Sequence, residues 1–521
     1  NNTISISQLK SATEDGMISE LKNYIANMNT SGNMALNITK ATNYLKGQKK
    51  QFETQLSPEA ARTYTMLLSE IRNIEKEISS PEYENQMQDE LADKVLRGRQ
   101  MLDDYEFSDE ASISAYLNNA EEIYSCYNDS KAVTQSGGGR MNVLIGEVWF
   151  CSGQSNMEMP MGGFDRQPVR GTNDIIAKAK PSTPIRMYTT DSKDGRWVRQ
   201  FSKTPVEDCQ GEWLENTPVN VSHISAVSYY FARYIQEVLE VPVGIVVSTW
   251  GGSKVEAWMS RESIKPFSSI DLSILDNDAE VKNPTATPCV LYNGKIAPLT
   301  NFAVRGFLWY QGESNRDNTD LYLNLMPAFV ADLRAKWGRG ELPFYFVQIA
   351  PFNYEGADGT SAARLREVQL QNMKDIPNSG MVTTMDVGHP VFIHPVDKET
   401  VGNRLAYWAL AQTYGMKGFG YAPPVYKSME IQENKIYINF DNAQRGLSPM
   451  WTSLKGFEIA GEDKVFYPAF AEIETTTARL AVSSDKVPHP VAVRYAYKNY
   501  VEASIFSIHG IPAAPFRTDN W

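Results

Sequence analysis

The feature that most restricts the fold of this chain is an alternation of apolar strands with amphipathic helices between residue 141 and about residue 423. The strand-like runs lie at 185–188, 241–247, 302–310, 344–349 and 381–385, and the helical patterns between and after them lie at 226–239, 320–337, 362–373 and 398–414. Parallel strands need a crossover segment to return the chain, and a helix usually supplies it. This order therefore predicts a parallel sheet with helices on both faces.

Two segments of different character flank this α/β part. Residues 1–133 carry apolar residues at intervals of three and four, which predicts a helical bundle of unknown role. The glycine-rich stretch 136–139 is typical of a flexible junction. Short alternating strands at 435–440, 478–483 and 490–495 predict a small β-rich domain. The predicted domains are thus a bundle (1–133), an α/β domain (138–423) and a C-terminal β domain (424–521).

Composition and charge argue against several classes of partner and cofactor. The net charge is −12 without a basic stripe, which argues against nucleic acid as a partner. The sequence contains no run of 18 or more apolar residues, so no membrane span is predicted. The four cysteines form no C-x-x-C pair, and metalloprotease, P-loop and dinucleotide motifs are absent from the sequence, so we predict no metal or other cofactor.

The candidate nucleophile follows the first strand of the α/β part. An apolar run beginning near Met141 ends in the small-residue turn Gly153-Gln154-Ser155. Such a turn presents a hydroxyl at the carboxyl end of a strand, where open α/β sheets bind their ligands. Backbone N–H groups of the turn can also face a developing oxyanion. A Gly-x-Ser turn alone is more often structural, so the prediction of Ser155 as nucleophile depends on what accompanies it.

Four further blocks follow Gly153-Gln154-Ser155-Asn156-Met157 in the chain. They are 248–258, 309–315, Ile393-His394-Pro395 with Lys398, and 515–519. Together the five blocks resemble the sialate O-acetylesterase family of SGNH-type serine hydrolases over residues 141–521. The resemblance implies a serine carbohydrate esterase with an SGNH-like sheet. Members of that family usually place a small β-rich domain before the nucleophile strand, and a predicted helical bundle stands there in this chain.

Ester hydrolysis by a serine needs a base to accept the hydroxyl proton. The resemblance assigns this role to His394, and His389 is the alternative. In relatives a carboxylate commonly stands shortly before this histidine, but here those positions are Val391 and Phe392. Two possibilities remain open: a serine–histidine dyad, with a backbone carbonyl orienting the ring, or a triad completed by another carboxylate such as Asp386.

The oxyanion formed on attack needs donors that are fixed in advance. The backbone N–H groups of Ser155 and Gly252 are candidates from the nucleophile turn and from the Trp250-Gly251-Gly252 turn. The resemblance implies a third, side-chain donor, either Gln311 or Asn315.

Two further groups of residues have supporting roles in this interpretation. Glu313 is predicted to brace the loops through Arg366 or Lys254 rather than to act as a base. One or two of the aromatic residues beside the blocks are expected to contact sugar. These are Trp149, Trp250, Trp258, Trp309 and Tyr310.

The sequence thus predicts an enzyme that removes acetyl esters from a carbohydrate, with O-acetylated sialic acid as the substrate that the resemblance favours. The alternatives are an acetylesterase of plant polysaccharide, such as xylan or xyloglucan, and a carbohydrate-binding protein without catalytic activity. An acetylated sugar is the expected partner, and a periplasmic or secreted location follows from where such glycans are met. The oligomeric state is left open.

Overall fold

The computed structural model describes residues 146–193, 196–450, 452–474 and 479–521. The predicted bundle of 1–133 and the junction at 136–139 lie outside these residues. Val148–Ile235 and Val243–Trp521 form one compact unit that includes both the α/β part and the C-terminal strands. The boundary between 423 and 424 therefore stays a prediction. None of the helices in the described ranges is long and apolar enough to span a membrane.

A seven-stranded sheet with the order β5-β2-β6-β1-β7-β8-β9 forms the centre of the α/β part. The strands are β1 (Glu147–Gly153), β2 (Ile185–Thr189), β3 (Ser192–Lys193), β4 (Arg196–Trp197), β5 (Glu212–Glu215), β6 (Val243–Thr249), β7 (Gly306–Tyr310), β8 (Phe344–Val347) and β9 (Ser379–Val382). Every residue of β6, β7 and β8 is buried, as expected for strands covered on both faces. The remaining pair, β3 and β4, forms a separate two-stranded ribbon.

The predicted sheet is confirmed, with one correction at its edge. The pairs β2–β6, β1–β7, β7–β8 and β8–β9 are parallel, but β5 runs antiparallel to β2. The sheet is therefore mixed. Because β5 has only four residues, two of which are glutamates, it lacks the continuous apolar run that indicates a buried strand.

Helices connect and cover these strands. They are α1 (Ser155–Glu158), α2 (Thr172–Ala177), α3 (Pro218–His223), α4 (Ala226–Leu239), α5 (Arg261–Ile264), α6 (Thr319–Trp337), α7 (Ser361–Asp375) and α8 (Lys398–Trp408). The four helices predicted at 226–239, 320–337, 362–373 and 398–414 correspond to α4, α6, α7 and α8. The last of these continues as one π-helical segment, Ala409–Thr413. The first turn of α8 is capped by Asp397, whose Oδ1 accepts the Thr400 N–H at 3.0 Å.

The C-terminal part consists of antiparallel sheets, as predicted. Two have four strands, in the orders β10-β11-β16-β15 and β14-β13-β17-β19, and β12 pairs with β18. The strands are β10 (Val425–Gln432), β11 (Lys435–Asp441), β12 (Leu447–Ser448), β13 (Phe457–Ala460), β14 (Phe466–Pro468), β15 (Phe470–Ile473), β16 (Leu480–Ser483), β17 (Ala492–Tyr495), β18 (Phe506–Ser507) and β19 (Phe516–Arg517). Their inward residues share one apolar cluster that includes Ile436, Leu480 and Val493.

The sheet order places a topological switch at β1. After β1 the chain continues to β2 and β6 on one side, and it then crosses to β7 on the other side. Ligands of open α/β sheets bind at such a point, outside the carboxyl ends of the strands. The segments that follow β6, β1 and β7 are therefore neighbours, and they contain three of the sequence blocks singled out above.

Candidate active site

The nucleophile turn forces one hydroxyl out of a buried run. From Trp149 to Met161 every residue is buried except Ser155, the first residue of α1. Gly153 has a φ of +143°, and a Cβ there would lie 2.1 Å from the Tyr310 carbonyl oxygen, so the turn requires glycine. That carbonyl accepts the Gln154 N–H at 2.9 Å, which fixes the turn to the end of β7.

The segment after β6 lies directly against this serine. The Trp250 N–H donates to the Gly153 carbonyl at 3.1 Å. A Cβ at Gly251 would be 3.3 Å from the Ser155 Cβ, so a side chain there would crowd this serine. Within the described ranges, the backbone N–H groups of Ser155 and Gly252 donate to no protein acceptor. These two N–H groups, predicted as oxyanion donors, are therefore uncommitted.

Glu158 joins these two segments. It lies one turn after Ser155 on α1, and its Oε2 accepts the Gly251 N–H at 2.6 Å, while Oε1 pairs with Arg199. Burial raises the pKa of this carboxyl and the nearby Asp191 raises it further, although Arg199 opposes both effects. No motif in the sequence marks this residue as part of the site. Its only sequence signal is an acidic side chain three positions after the serine.

Asn156, the residue after the nucleophile, makes hydrogen bonds to three other segments of the chain. Its Nδ2 donates to Glu313 Oε1 at 2.6 Å and to the Ile393 carbonyl at 3.1 Å. Its Oδ1 accepts from Lys398 Nζ at 2.6 Å. The neighbour of Ser155 is thus bonded to the neighbour of His394, which brings the two predicted catalytic segments together.

Glu313 and Lys398 are both buried beside Asn156, with 4% and 0% of their surfaces exposed. Burial raises the pKa of Glu313 and lowers the pKa of Lys398 to about 7. The predicted partners of Glu313 were wrong, because its Oε1 binds Asn156 and its Oε2 has no hydrogen-bond partner among the described residues. Arg366 instead donates to the Asn499 carbonyl.

His394 lies in the loop between β9 and α8. Its Nδ1 is 2.7 Å from Gln167 Oε1, and its ring meets the Phe164 ring edge-to-face at 5.3 Å between centroids. Burial and the Lys398 charge lower the pKa of the imidazole to about 4. The ring is therefore neutral near pH 7, the state in which it can accept a proton.

The two other candidates near this histidine have structural partners. Both oxygens of Asp386 bind the Arg404 guanidinium, at 2.7 and 2.5 Å, so Asp386 does not orient His394 in this structure. The arginine on α8 is the physical reason that this carboxylate turns away. His389 Nδ1 accepts the N–H groups of Val391 and Phe392, each at 3.1 Å, and so shapes the loop before His394.

The amides of Gln311 and Asn315 support the loops that surround the nucleophile. Gln311 Nε2 donates to the Ser253 carbonyl at 3.0 Å and to Asn315 Oδ1 at 2.7 Å, which uses both of its hydrogens. Asn315 Oδ1 also accepts the Val255 N–H at 3.0 Å, and its Nδ2 donates one hydrogen to Glu256 at 2.8 Å. Of the two predicted side-chain donors, Asn315 alone retains an amide hydrogen.

Most of the aromatic residues beside the sequence blocks belong to the core. Trp149, Trp258, Trp309 and Tyr310 are at most 1% exposed. Trp250, at the turn after β6, is only partly buried, and the Arg199 guanidinium lies 5.2 Å from its ring centroid. Among these five residues it is therefore the one that is not almost fully buried, although Lys295 and Phe201 also lie against its ring.

Comparison with known proteins identifies the family of this chain. The family model for carbohydrate esterases described as sialic acid-specific acetylesterases matches residues 145–410. The sialate O-acetylesterase of Homo sapiens is 30% identical over 406 residues, covering 72% of this chain and 75% of the relative. The Mus musculus sialate O-acetylesterase is 28% identical over 440 residues, covering 72% and 77% respectively.

A solved structure is similar over a comparable length. The crystal structure of a carbohydrate acetylesterase from Xanthomonas citri has a TM-score of 0.64 and 35% sequence identity, and the match covers 73% of this chain and 82% of that chain. The chain therefore belongs to the sialic acid-specific acetylesterase family of carbohydrate esterases, and it is a carbohydrate O-acetylesterase.

Proposed function

We propose that the chain removes acetyl groups from O-acetylated sialic acid through an acetyl-enzyme on Ser155, with His394 as general base. The observation that carries the serine mechanism is the isolated exposure of Ser155 in a buried run, between uncommitted N–H groups and the segment that holds the histidine.

The reaction proceeds in two halves. Ser155 Oγ attacks the acetyl carbonyl carbon while His394 Nε2 accepts the hydroxyl proton, and the Ser155 and Gly252 N–H groups stabilise the oxyanion. The bond from the carbonyl carbon to the sugar oxygen then breaks, and the imidazolium returns the proton to that oxygen. Water, deprotonated by the same imidazole, attacks the carbonyl carbon of the acetyl-enzyme. The bond from that carbon to Ser155 Oγ breaks, the imidazolium returns the proton to Oγ, and acetate leaves. The Oγ–Nε2 hydrogen bond forms in the substrate complex, as catalytic contacts often do.

The side-chain contribution to the oxyanion site comes from Asn315, through its remaining amide hydrogen, and Gln311 holds Asn315 in place. Glu313 acts as a support through Asn156. Trp250 contacts the sugar, because it is the one of the five aromatic residues that is only partly buried, and it follows the strand beside Ser155.

The sialic acid substrate is assigned from the relatives, which are named sialate O-acetylesterases. Such acetylated glycans are found outside the cytoplasm, and we accordingly propose a periplasmic or secreted enzyme. Detection of the protein in the exported fraction of its host would support this location, and confinement to the cytoplasm would contradict it.

The test is acetate release by wild type, Ser155→Ala, His394→Ala and a control, Ser484→Ala. Ser484 directly follows β16 in the C-terminal part, and its hydroxyl donates to the Pro468 carbonyl at 3.1 Å. We expect loss of at least about a thousandfold in kcat for the first two variants and none for the control. Activity that survives in Ser155→Ala contradicts the nucleophile. Acetylated sialic acid and acetylated xylo-oligosaccharide are compared as substrates, and preference for the second contradicts the sialate assignment. Binding of either sugar without acetate release would favour the non-catalytic alternative.

A further inference from the structure

His394 has an amide where serine hydrolases commonly have a carboxylate. The acceptor at its Nδ1 is Gln167 Oε1, at 2.7 Å. The position three residues before the histidine is Val391, which is 69% exposed, and Asp386 is bound by Arg404. We propose that Gln167 is the positioning residue of the catalytic group, accepting Nδ1–H of His394 and so directing the Nε2 lone pair at Ser155. This inference rests on the serine mechanism proposed above.

A tight turn delivers Gln167 to the histidine. The N–H of Phe164 donates to the carbonyl of Gln167 at 3.0 Å, and the reverse bond is 2.9 Å. Gly163, just before the turn, has a φ of +82°, and a Cβ there would lie 2.5 Å from the Gln167 carbonyl oxygen. The Phe164 ring packs edge-to-face on the imidazole. One short turn thus supplies both the hydrogen-bond acceptor and an apolar wall for His394.

Backbone hydrogen bonds on both sides hold this turn in place. Before it, the Met161 N–H donates to the Ile224 carbonyl at 2.9 Å, and the Gly162 N–H donates to the Ser222 carbonyl at 2.8 Å. After it, the Arg170 N–H donates to the Val396 carbonyl at 2.8 Å, two residues beyond His394. The turn and the histidine loop are therefore tied to each other, and Gln167 is held as part of the site rather than as a loose surface side chain.

An amide and a carboxylate differ in one respect that can be measured. Either acceptor selects the tautomer with the proton on Nδ1. Only the carboxylate carries a charge that stabilises the imidazolium formed when the serine proton is accepted. Burial is the main cause of the lowered pKa of His394, and the nearby Lys398 lowers it further. The neutral Gln167 adds no charge that would oppose these two effects, so the imidazole stays neutral well below its ordinary range.

The test compares Gln167→Glu, Gln167→Leu and a matched control, Gln371→Leu, at an exposed glutamine of α7. We expect Gln167→Glu to remain active and to shift the acid limb of the kcat/KM profile upward by about 1–2 pH units. We expect Gln167→Leu to lower kcat by at least about tenfold with KM changed less than threefold, because the tautomer is no longer fixed. The control should match wild type.

A measurement without turnover separates this inference from the serine mechanism. The His394 imidazole is titrated by ¹⁵N NMR in a Ser155→Ala background, with and without Gln167→Glu. A pKa raised by about 1–2 units in the double variant supports the contact, whatever the nucleophile is. An unchanged His394 pKa, or a Gln167→Leu variant with wild-type kcat, overturns the role of Gln167. Loss of activity in Ser155→Ala still upholds the serine mechanism in that case.

Discussion

Replacing Asn156 by alanine should weaken both the fold and the activity, because one small side chain bonds three segments of the site. The substitution removes the bonds to Glu313, to the Ile393 carbonyl and to Lys398, at 2.6, 3.1 and 2.6 Å. Two of these partners are ionisable groups that are almost fully buried. The shorter side chain leaves them without the donor and the acceptor that they use now.

The size of the effect follows from these bonds. A hydrogen bond to a charged group contributes about 1.5–3 kcal/mol and a neutral one about 0.5–1.5 kcal/mol. Removing one member of a buried charged network usually costs about 3–5 kcal/mol, and partial pairing of Glu313 with Lys398 after the substitution keeps the total near this range. We expect the apparent melting temperature to fall by about 3–5 °C, since the entropy of unfolding increases with chain length. Release of the Ile393 carbonyl displaces the histidine loop, and a displacement of about 1 Å costs roughly a hundredfold in rate.

Differential scanning calorimetry and p-nitrophenyl acetate hydrolysis measure the two effects on the same samples. The matched control is Asn439→Ala, whose side chain makes one exposed hydrogen bond of 3.2 Å to Ser428, and it should change stability by less than about 0.5 kcal/mol. The reasoning fails if Asn156→Ala melts within about 2 °C of wild type and keeps kcat/KM within about threefold.

Three further predictions concern the same site. Gly251→Ala places a Cβ 2.7 Å from Glu158 Oε2 and should lower kcat/KM at least about tenfold. The control is Gly171→Ala, at a glycine that has a φ of +72° and no atom within 4 Å of its Cβ. It should cost only about 1 kcal/mol of stability. A steady-state assay that finds the two variants equally active contradicts the close approach. The pKa of His394 is lowered to about 4, so kcat/KM should be flat from about pH 5 to 7. It should fall only below about pH 4, where the imidazole is protonated. A kcat/KM profile with an acid limb near pH 6.5 refutes this prediction. Cys151 is fully buried and its pKa is raised to about 12, so iodoacetamide at pH 8 should neither label it, as judged by mass spectrometry, nor reduce the rate.

The sequence patterns identified most of the sheet, because its buried strands are continuous apolar runs. They did not reveal β5, since a four-residue edge strand with two glutamates has no such run. Ser155 was predicted because five sequence blocks together resemble a family of serine esterases, since a Gly-x-Ser turn alone is more often structural. The isolated exposure of that residue is a property of packing, and it is visible only in the folded chain.

The partners of the predicted residues were harder to infer than the residues themselves. Gln167 is 227 positions from His394 and carries no charge, so neither spacing nor composition marks it. Asp386 was considered because it is close in sequence, yet Arg404, one helical segment later, binds it. Hydrogen bonds between loops of an α/β sheet depend on which strands are neighbours, and the strand order is not encoded in any local pattern.

The bond between Asn156 and Lys398 also joins two residues that leave the ribosome far apart in time. The two residues are 242 positions apart, and the Ile393 carbonyl bound by the same amide is 237 positions from it. A nascent chain therefore carries its serine long before the residues that complete the site leave the ribosome. Ester hydrolysis by ribosome-bound chains of increasing length would accordingly report the chain length at which α8 docks. The activity of the enzyme would then measure its folding during synthesis.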